Sequence, residues 1–216
     1  MSVNLTYAVF GLGKYGIAVT NELLRNGAEV LAVDSNENIV NSLSNSIPVC
    51  KCADITNAEV IESLGIAGID VVIIAISEDL DASILATVLC KEAGVKRVVA
   101  KCSSEMHGKI LEKVGADAVV FPETESGTRL ARNLLNSGFS DLIELSDNVS
   151  MVELAVKPSW VGKSLIELDL RKRYGINVVA VKTDGNVSIE IDPAKLLDEN
   201  MQLIVIADID KLKRIK

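Results

Sequence analysis

Near its start the chain carries Gly11-Leu12-Gly13-Lys14-Tyr15-Gly16, a glycine-rich loop whose spacing suits phosphate chemistry. Glycines at these positions allow a tight turn, close approach of backbone to a diphosphate, and tight packing of a helix on a strand. The helix that follows offers unpaired N–H groups to an anion. The hexapeptide alone is common. It gains meaning from Asp34, 18 residues beyond Gly16 at the end of the next apolar run, where a carboxylate can accept hydrogen bonds from both hydroxyls of an adenosine ribose. The competing local role is that Asp34 or Ser35 caps the next helix. With loop and acid in the required order, nucleotide binding is the stronger reading. An acid here disfavours a 2′-phosphate, so NAD or an adenine mononucleotide is expected over NADP.

Other residues at the ends of apolar runs would face the same crevice: Asp54, Ile55, Ile76, Ser77, Lys101 and Glu123. Lys101 could meet phosphate or simply stand in water, and Lys14 has the same two options. Glu123 follows Pro122 at a helix start, where a carboxylate suits the helix dipole without any ligand. Four cysteines, Cys50, Cys52, Cys90 and Cys102, lack paired CxxC spacing and read as small buried hydrophobes, so a zinc site is not expected. The single histidine, His107, lies in a polar stretch at a helix start with no acidic partner at a useful spacing, which removes most hydrolytic mechanisms.

These residues must be positioned by a chain of 216 residues, long enough for one large or two small domains without disulfide or metal staples. Charge is 22 Lys+Arg against 30 Asp+Glu, with one Trp, three Tyr and three Phe. That leaves neither a basic surface to track phosphates nor an aromatic platform for bases, so direct nucleic-acid binding is not expected. Mean hydropathy is +0.32, yet the longest apolar run is Val71 to Ile76, far short of a membrane span. The start, MSVNLTYAVFG, has neither the basic region nor the extended apolar stretch of a signal peptide, so a cytoplasmic chain is expected.

Strand-like runs at 7–10, 29–33, 48–52, 70–76, 97–101 and 118–121 alternate with helical patterns at 14–26, 36–45, 57–64, 80–93, 104–114 and 123–136. The continuous run at 70–76 fits a central parallel strand covered on both faces. Gly27, Gly65, Gly94 and Gly115 sit where helices need left-handed caps. This predicts an α/β fold, a Rossmann-like doubly wound parallel sheet over residues 1–138. A small α+β subdomain is predicted over 139–216, with strands at 141–145, 151–156, 177–182 and 202–207. Helices are expected at 163–173 and 208–214, and a hairpin turn at Asp184-Gly185-Asn186.

The ordered motifs GLGKYG, AVD at 32–34, AD-I-T at 53–56, LGI at 64–66, the AI-SED strand end at 75–79, LEKVGAD at 111–117 and FPE at 121–123 resemble an RCK domain, a regulator of potassium conductance. MVELAV at 151–156, GKSLIELDLRKRYGINVVAVK at 162–182 and DENMQLIVI at 198–206 resemble its C-terminal subdomain. The resemblance, to the TrkA/KtrA-like cytosolic subunits of bacterial potassium uptake systems, covers nearly the whole chain. It implies a non-enzymatic gating subunit, a homodimer assembling into a ring, commonly an octamer, beneath an integral membrane potassium-transporting subunit. Bound ATP, ADP or NAD(H) would change the shape of the ring.

By that resemblance the nucleotide lies on Gly11, Leu12, Gly13, Lys14, Tyr15 and Gly16, with Asp34 and Ser35 at the ribose and Asp54 and Ile55 near the adenine. Ile76, Ser77 and Lys101 line the crevice, and His107 matches a histidine common after the fifth strand. Lys14 stands where KtrA-like members have an arginine that reaches phosphates across the dimer; it keeps the charge without the guanidinium fork. Glu123 matches an acid used with a divalent cation, Mg or Ca, near the terminal phosphate. Some members bind cyclic di-AMP between C-terminal subdomains, a site that would fall on Ile166, Arg171, Asn177 and Pro193. The alternative is a small NAD-dependent oxidoreductase, which would share the loop and Asp34. No Tyr-x-x-x-Lys catalytic set occurs in the α/β half, and the 139–216 segment is small for a substrate domain.

Overall fold

The structure, a computed structural model, describes residues 5–135, 139–146, 148–208 and 211. It divides into two compact units, Met1–Pro122 and Glu123–Lys216. The sequence reading drew the division after residue 138, which lies outside the described residues.

In the first unit, strands β1 (Thr6–Phe10), β2 (Glu29–Asp34), β3 (Cys50–Cys52), β4 (Val71–Ile74), β5 (Arg97–Lys101) and β6 (Ala118–Val120) form one sheet in the order β3-β2-β1-β4-β5-β6. Every pairing is parallel. The connections are helices α1 (Lys14–Arg25), α2 (Glu37–Leu43), α3 (Ala58–Ser63) with a short 3₁₀ turn at Ile66–Gly68, α4 (Leu80–Glu92) and α5 (Glu105–Lys113). This is the doubly wound order, and its reversal between β1 and β4 opens a crevice at the carboxyl ends of those strands. Val72 and Ile74 of β4 pack with Phe10 and Val33 on one face of the sheet. Ile73 packs with Val9, Leu12 and Val30 on the other. Continuous aliphatic strands are what a sheet covered on both faces requires.

Three strands are shorter than expected, β6 by one residue at its end. Asp70 does not begin β4: its carboxylate accepts from the Thr6 N–H at 3.1 Å and from Lys96 Nζ at 2.7 Å, pinning the base of the strand. At the other end β4 stops at Ile74, so residues 75–79 form a loop. Pro48, which lacks an N–H, and Val49 precede β3 instead of joining it.

The second unit begins in α6 (Pro122–Leu135) and contains a sheet of β7 (Phe139–Glu144), β8 (Val149–Ala155), β9 (Asn177–Thr183), β10 (Asn186–Ser188) and β11 (Met201–Asp208), ordered β10-β9-β11-β8-β7. All of its pairings are antiparallel. In β11, inward Leu203, Val205 and Ala207 alternate with half-buried residues, and the inner face packs on Trp160, Leu168 and Ile176. The hairpin turn stands as expected, with Asp184 at φ +50° and Gly185 at φ +84°.

The helix expected at 163–173 is instead two short ones, α7 (Leu165–Leu168) and α8 (Leu170–Tyr174), broken at Asp169 with φ +43°. The break has a packing cause. Leu168 and Leu170 are both buried, and residues two apart cannot share one face of a continuous helix. The helix expected at 208–214 is not borne out at its start, because β11 runs through Asp208; most of the remainder lies outside the described residues. Among the described residues no helix is long and apolar enough to cross a membrane.

Candidate functional site

The glycine loop joins β1 to α1 at the switch point. Gly11 has φ +92°, its N–H donates to the Val33 carbonyl at 2.8 Å, and a Cβ there would come within 2.7 Å of Ile76 Cγ1. A Cβ on Gly16 would overlap the Gly11 carbonyl oxygen. Both glycines are therefore required by the crossing of β1, α1 and the end of β4. Gly13 differs: a Cβ there would meet nothing within 4 Å. It occupies the N-cap of α1 in an extended conformation and brings no side chain to its first turn, which contains no acidic residue. The positive end of the helix thus opens toward the space above the loop.

Asp34 closes the loop against β2. Its Oδ2 accepts from the Leu12 N–H at 2.7 Å and its Oδ1 from the Asn36 N–H at 2.8 Å. The side chain therefore performs a turn role, although the cap of α2 is Asn36 and not Asp34 or Ser35. A carboxylate has about four lone-pair sites, so two bonds leave capacity for a diol. Beside it lies an open cavity of about 520 Å³, lined by Gly11, Asp34, Ser35, Asp54, Ile55 and Ile76 from the predicted set. Asp54 holds its own loop, with Oδ1 accepting from the Thr56 N–H at 2.9 Å and hydroxyl at 2.7 Å; these bonds lower its pKa below the ordinary value.

Sequence reasoning missed Val33, Ala53, Thr56, Glu78, Asp79 and Ala82, which also line this cavity. The AI-SED strand end was the available signal for Glu78 and Asp79, but a strand running to Ile76 would have carried them past the crevice.

Several predicted residues lie elsewhere. Lys14 is exposed at the first position of α1. Ser77 and Lys101, expected to line the crevice, do not line the cavity. Ser77 is half-buried in the loop after β4, and Lys101 Nζ sits 5.7 Å from the centroid of the Tyr15 ring, a cation–π approach that holds it near the first turn of α1.

His107, expected beside the nucleotide, is 2% exposed, lies between α4 and α5 and does not line the cavity. Its Nε2 lies 2.8 Å from Ser83 Oγ, and its Nδ1 accepts from the Ser103 N–H at 3.4 Å. Ser83 Oγ in turn donates to the Leu80 carbonyl at 2.8 Å, so the neutral Nε2–H tautomer satisfies every partner. Burial pushes the imidazole pKa below its ordinary value. Glu123 opens the second unit, in the first turn of α6 with Glu125. Among the described residues no group of three or more His, Cys, Asp or Glu could hold a metal ion.

In the second unit the Ile166 N–H donates to the Pro193 carbonyl at 3.2 Å, so these two residues are neighbours. Arg171 lies on α8 and is exposed, and Asn177 opens β9 opposite Ile206. A cavity of about 410 Å³ lies nearby, floored by Leu165, Leu197 and Met201 and rimmed by Asp184, Glu190 and Lys195; none of the four predicted residues lines it.

The first unit thus combines a Rossmann-type sheet, a glycine loop at its switch point, an acid at the end of β2 and an open cavity, and a small antiparallel unit follows it in the chain. Residues 7–122 match the TrkA-N domain family and residues 149–216 the TrkA-C domain family. The chain is 36% identical over 208 residues to Ktr system potassium uptake protein C of Bacillus subtilis (strain 168), covering 96% of this chain and 94% of that one. It is 36% identical over 206 residues to Ktr system potassium uptake protein A of Vibrio alginolyticus, covering 95% and 94%. The chain belongs to this TrkA/Ktr family, as the motif resemblance implied. Among solved structures, the GsuK channel superposes with a TM-score of 0.69 at 19% identity, over 99% of this chain and 39% of that one, a likeness of fold. GsuK bound to ADP superposes with a TM-score of 0.53 at 25% identity, over 62% of this chain and 34% of that one. This chain spans less than half the length of those GsuK chains.

Proposed function

We propose that this chain is a nucleotide-binding regulatory subunit of a potassium transporter or channel, acting through a separate membrane polypeptide. The observation that carries the reading is the cavity at the switch point. There Asp34 ties the glycine loop to β2 while keeping acceptor capacity for a ribose, in a chain whose full-length relatives are potassium uptake proteins. The ligand is an adenine nucleotide, ATP, ADP or NAD(H), and ADP is the nucleotide bound in the GsuK structure at 25% identity. Its ribose lies at Asp34 and Ser35, its phosphates over Gly13 and the first turn of α1, with Lys14 and Lys101 on that side.

In this reading the nucleotide-binding half extends to residue 138, and the chain is a homodimer that builds a ring, an octamer by family resemblance, at the cytoplasmic face of the membrane. By family resemblance Glu123 takes a divalent cation, Mg or Ca. Cyclic di-AMP is a candidate second ligand near Ile166 and Pro193. A nucleotide shifts such a ring only if two of its arrangements bind that nucleotide with different affinity. A catalytic role has little support: the lone histidine is buried with both ring nitrogens engaged.

The test is a thermal-shift panel of ATP, ADP, NAD, NADH and cyclic di-AMP with and without Mg or Ca, together with mass in solution. Stabilisation by adenine nucleotides, a ring-sized mass and no NADH turnover are expected. A monomer that oxidises NADH with a small carbonyl compound would overturn the reading.

A further inference from the structure

Four carboxylates line the cavity beside Asp34: Asp34, Asp54, Glu78 and Asp79. Three of them are engaged by the chain's own turns. Asp34 accepts from Leu12 and Asn36, Asp54 from Thr56, and Asp79 Oδ1 caps α4 by accepting from the Ala82 N–H at 2.9 Å. Glu78 is different. Among the described residues its carboxylate meets neither a donor nor a cation, so both oxygens stay available on an exposed rim.

The lining says what part of a ligand would reach it. With the ribose at Asp34 and Ser35, the rest of the wall is Ala53–Thr56 after β3 and Ile76, Glu78, Asp79 and Ala82 after β4, and the base would lie between these two walls. Adenine carries an exocyclic amino donor at C6, whereas guanine and hypoxanthine carry a carbonyl acceptor there. An ionised carboxylate only accepts.

We propose that Glu78 is a specificity-determining residue that reads the base, accepting a hydrogen bond from the adenine amino group and repelling the carbonyl of a 6-oxopurine. The proposal rests on the nucleotide-binding reading and deepens it. A hydrogen bond to a charged acceptor, replaced in the wrong base by two facing acceptors, discriminates by about tenfold at so exposed a position. Selection would follow the base, whatever the number of phosphates.

The experiment is calorimetric titration of the full chain with ADP and with inosine diphosphate, for wild type, Glu78→Gln and Asp34→Asn. Wild type should bind ADP about tenfold more tightly than the inosine nucleotide. Glu78→Gln, whose carboxamide can donate to the carbonyl, should bring the ratio to within about threefold. Asp34→Asn should weaken both ligands alike and leave the ratio intact. A wild-type ratio near one, or a preference unchanged by Glu78→Gln, overturns the assignment while nucleotide binding stands. Failure of wild type to bind either nucleotide overturns the nucleotide reading itself, and the role of Glu78 with it.

Discussion

Replacing Asp34 by Ala takes the acceptor away from two backbone donors at once. The Leu12 N–H, 2.7 Å from Oδ2, belongs to a residue that is 1% exposed, whereas the Asn36 N–H, 2.8 Å from Oδ1, lies at an exposed turn that water can serve. A hydrogen bond to an ionised acceptor contributes about 1.5–3 kcal/mol, and leaving a shielded donor unpaired costs a similar amount. The substitution should therefore destabilise the ligand-free first unit by about 2 kcal/mol, nearly all of it from Leu12. Asp34→Asn should cost about half as much, because its carbonyl can still serve Leu12 while its amide turns a donor toward the Asn36 N–H. The assay is urea unfolding followed with and without ADP. At 100 times its dissociation constant ADP should stabilise wild type by about 2.7 kcal/mol, and in Asp34→Ala that increment should largely vanish. Loss of ligand-free stability with the full ADP increment retained would make Asp34 a turn residue only. Unchanged stability would refute the hydrogen-bond argument at its root.

Two further outcomes follow from the packing. Gly16→Ala forces a methyl into the Gly11 carbonyl and should cost about 3 kcal/mol along with the ADP shift. Gly13→Ala points into open space and should leave thermal stability within about 0.5 kcal/mol while weakening ADP; equal melting losses in the two variants would contradict the geometry. For His107, burial depresses the folded-state pKa, so the unfolded chain takes up the proton first. Stability should then fall as pH drops below about 6.5, the unfolded value, and stay flat above it. Melting curves from pH 5 to 8 should show a shallower acid slope in His107→Gln, and identical slopes would remove His107 as the cause.

The parallel sheet of the first unit, the glycine loop and the place of Asp34 at the end of β2 were legible because their causes are local. Continuous aliphatic runs require burial on both faces, and Gly11 and Gly16 are demanded by one backbone crossing. Asp169 was not legible, since nothing near it announces a helix break. The break follows from the need of Leu168 and Leu170 to enter the same core, a property of the sheet beneath them. The buried setting of His107 was not legible for a similar reason. Its sequence neighbours are polar, but its partner Ser83 lies 24 residues away on another helix. The missed lining residues Glu78, Asp79 and Ala82 depended on where β4 ends, and a run of six apolar residues cannot say which of them leave the ladder.

The distribution of charge around the cavity bears on how such a site could gate anything. The lining holds four carboxylates and no Lys or Arg, whereas the open helix end, Lys14 and Lys101 lie on the side of the glycine loop. An adenine nucleotide would thus be oriented by electrostatics, its anionic end drawn to α1 and its base end to the acids. The base end rests on turns closed within one chain, by Asp34, Asp54 and Asp79, and would be alike in every arrangement of a multimer. A contact that is the same in two states adds affinity without shifting the balance between them. The difference between nucleotides sharing one base must therefore enter at the phosphate end, where Lys14 is exposed and the first turn of α1 has no side-chain cap. Recognition and switching then belong to opposite ends of one ligand. A substitution at Glu78 should alter which base is bound, and one at Lys14 should alter what binding does to the assembly.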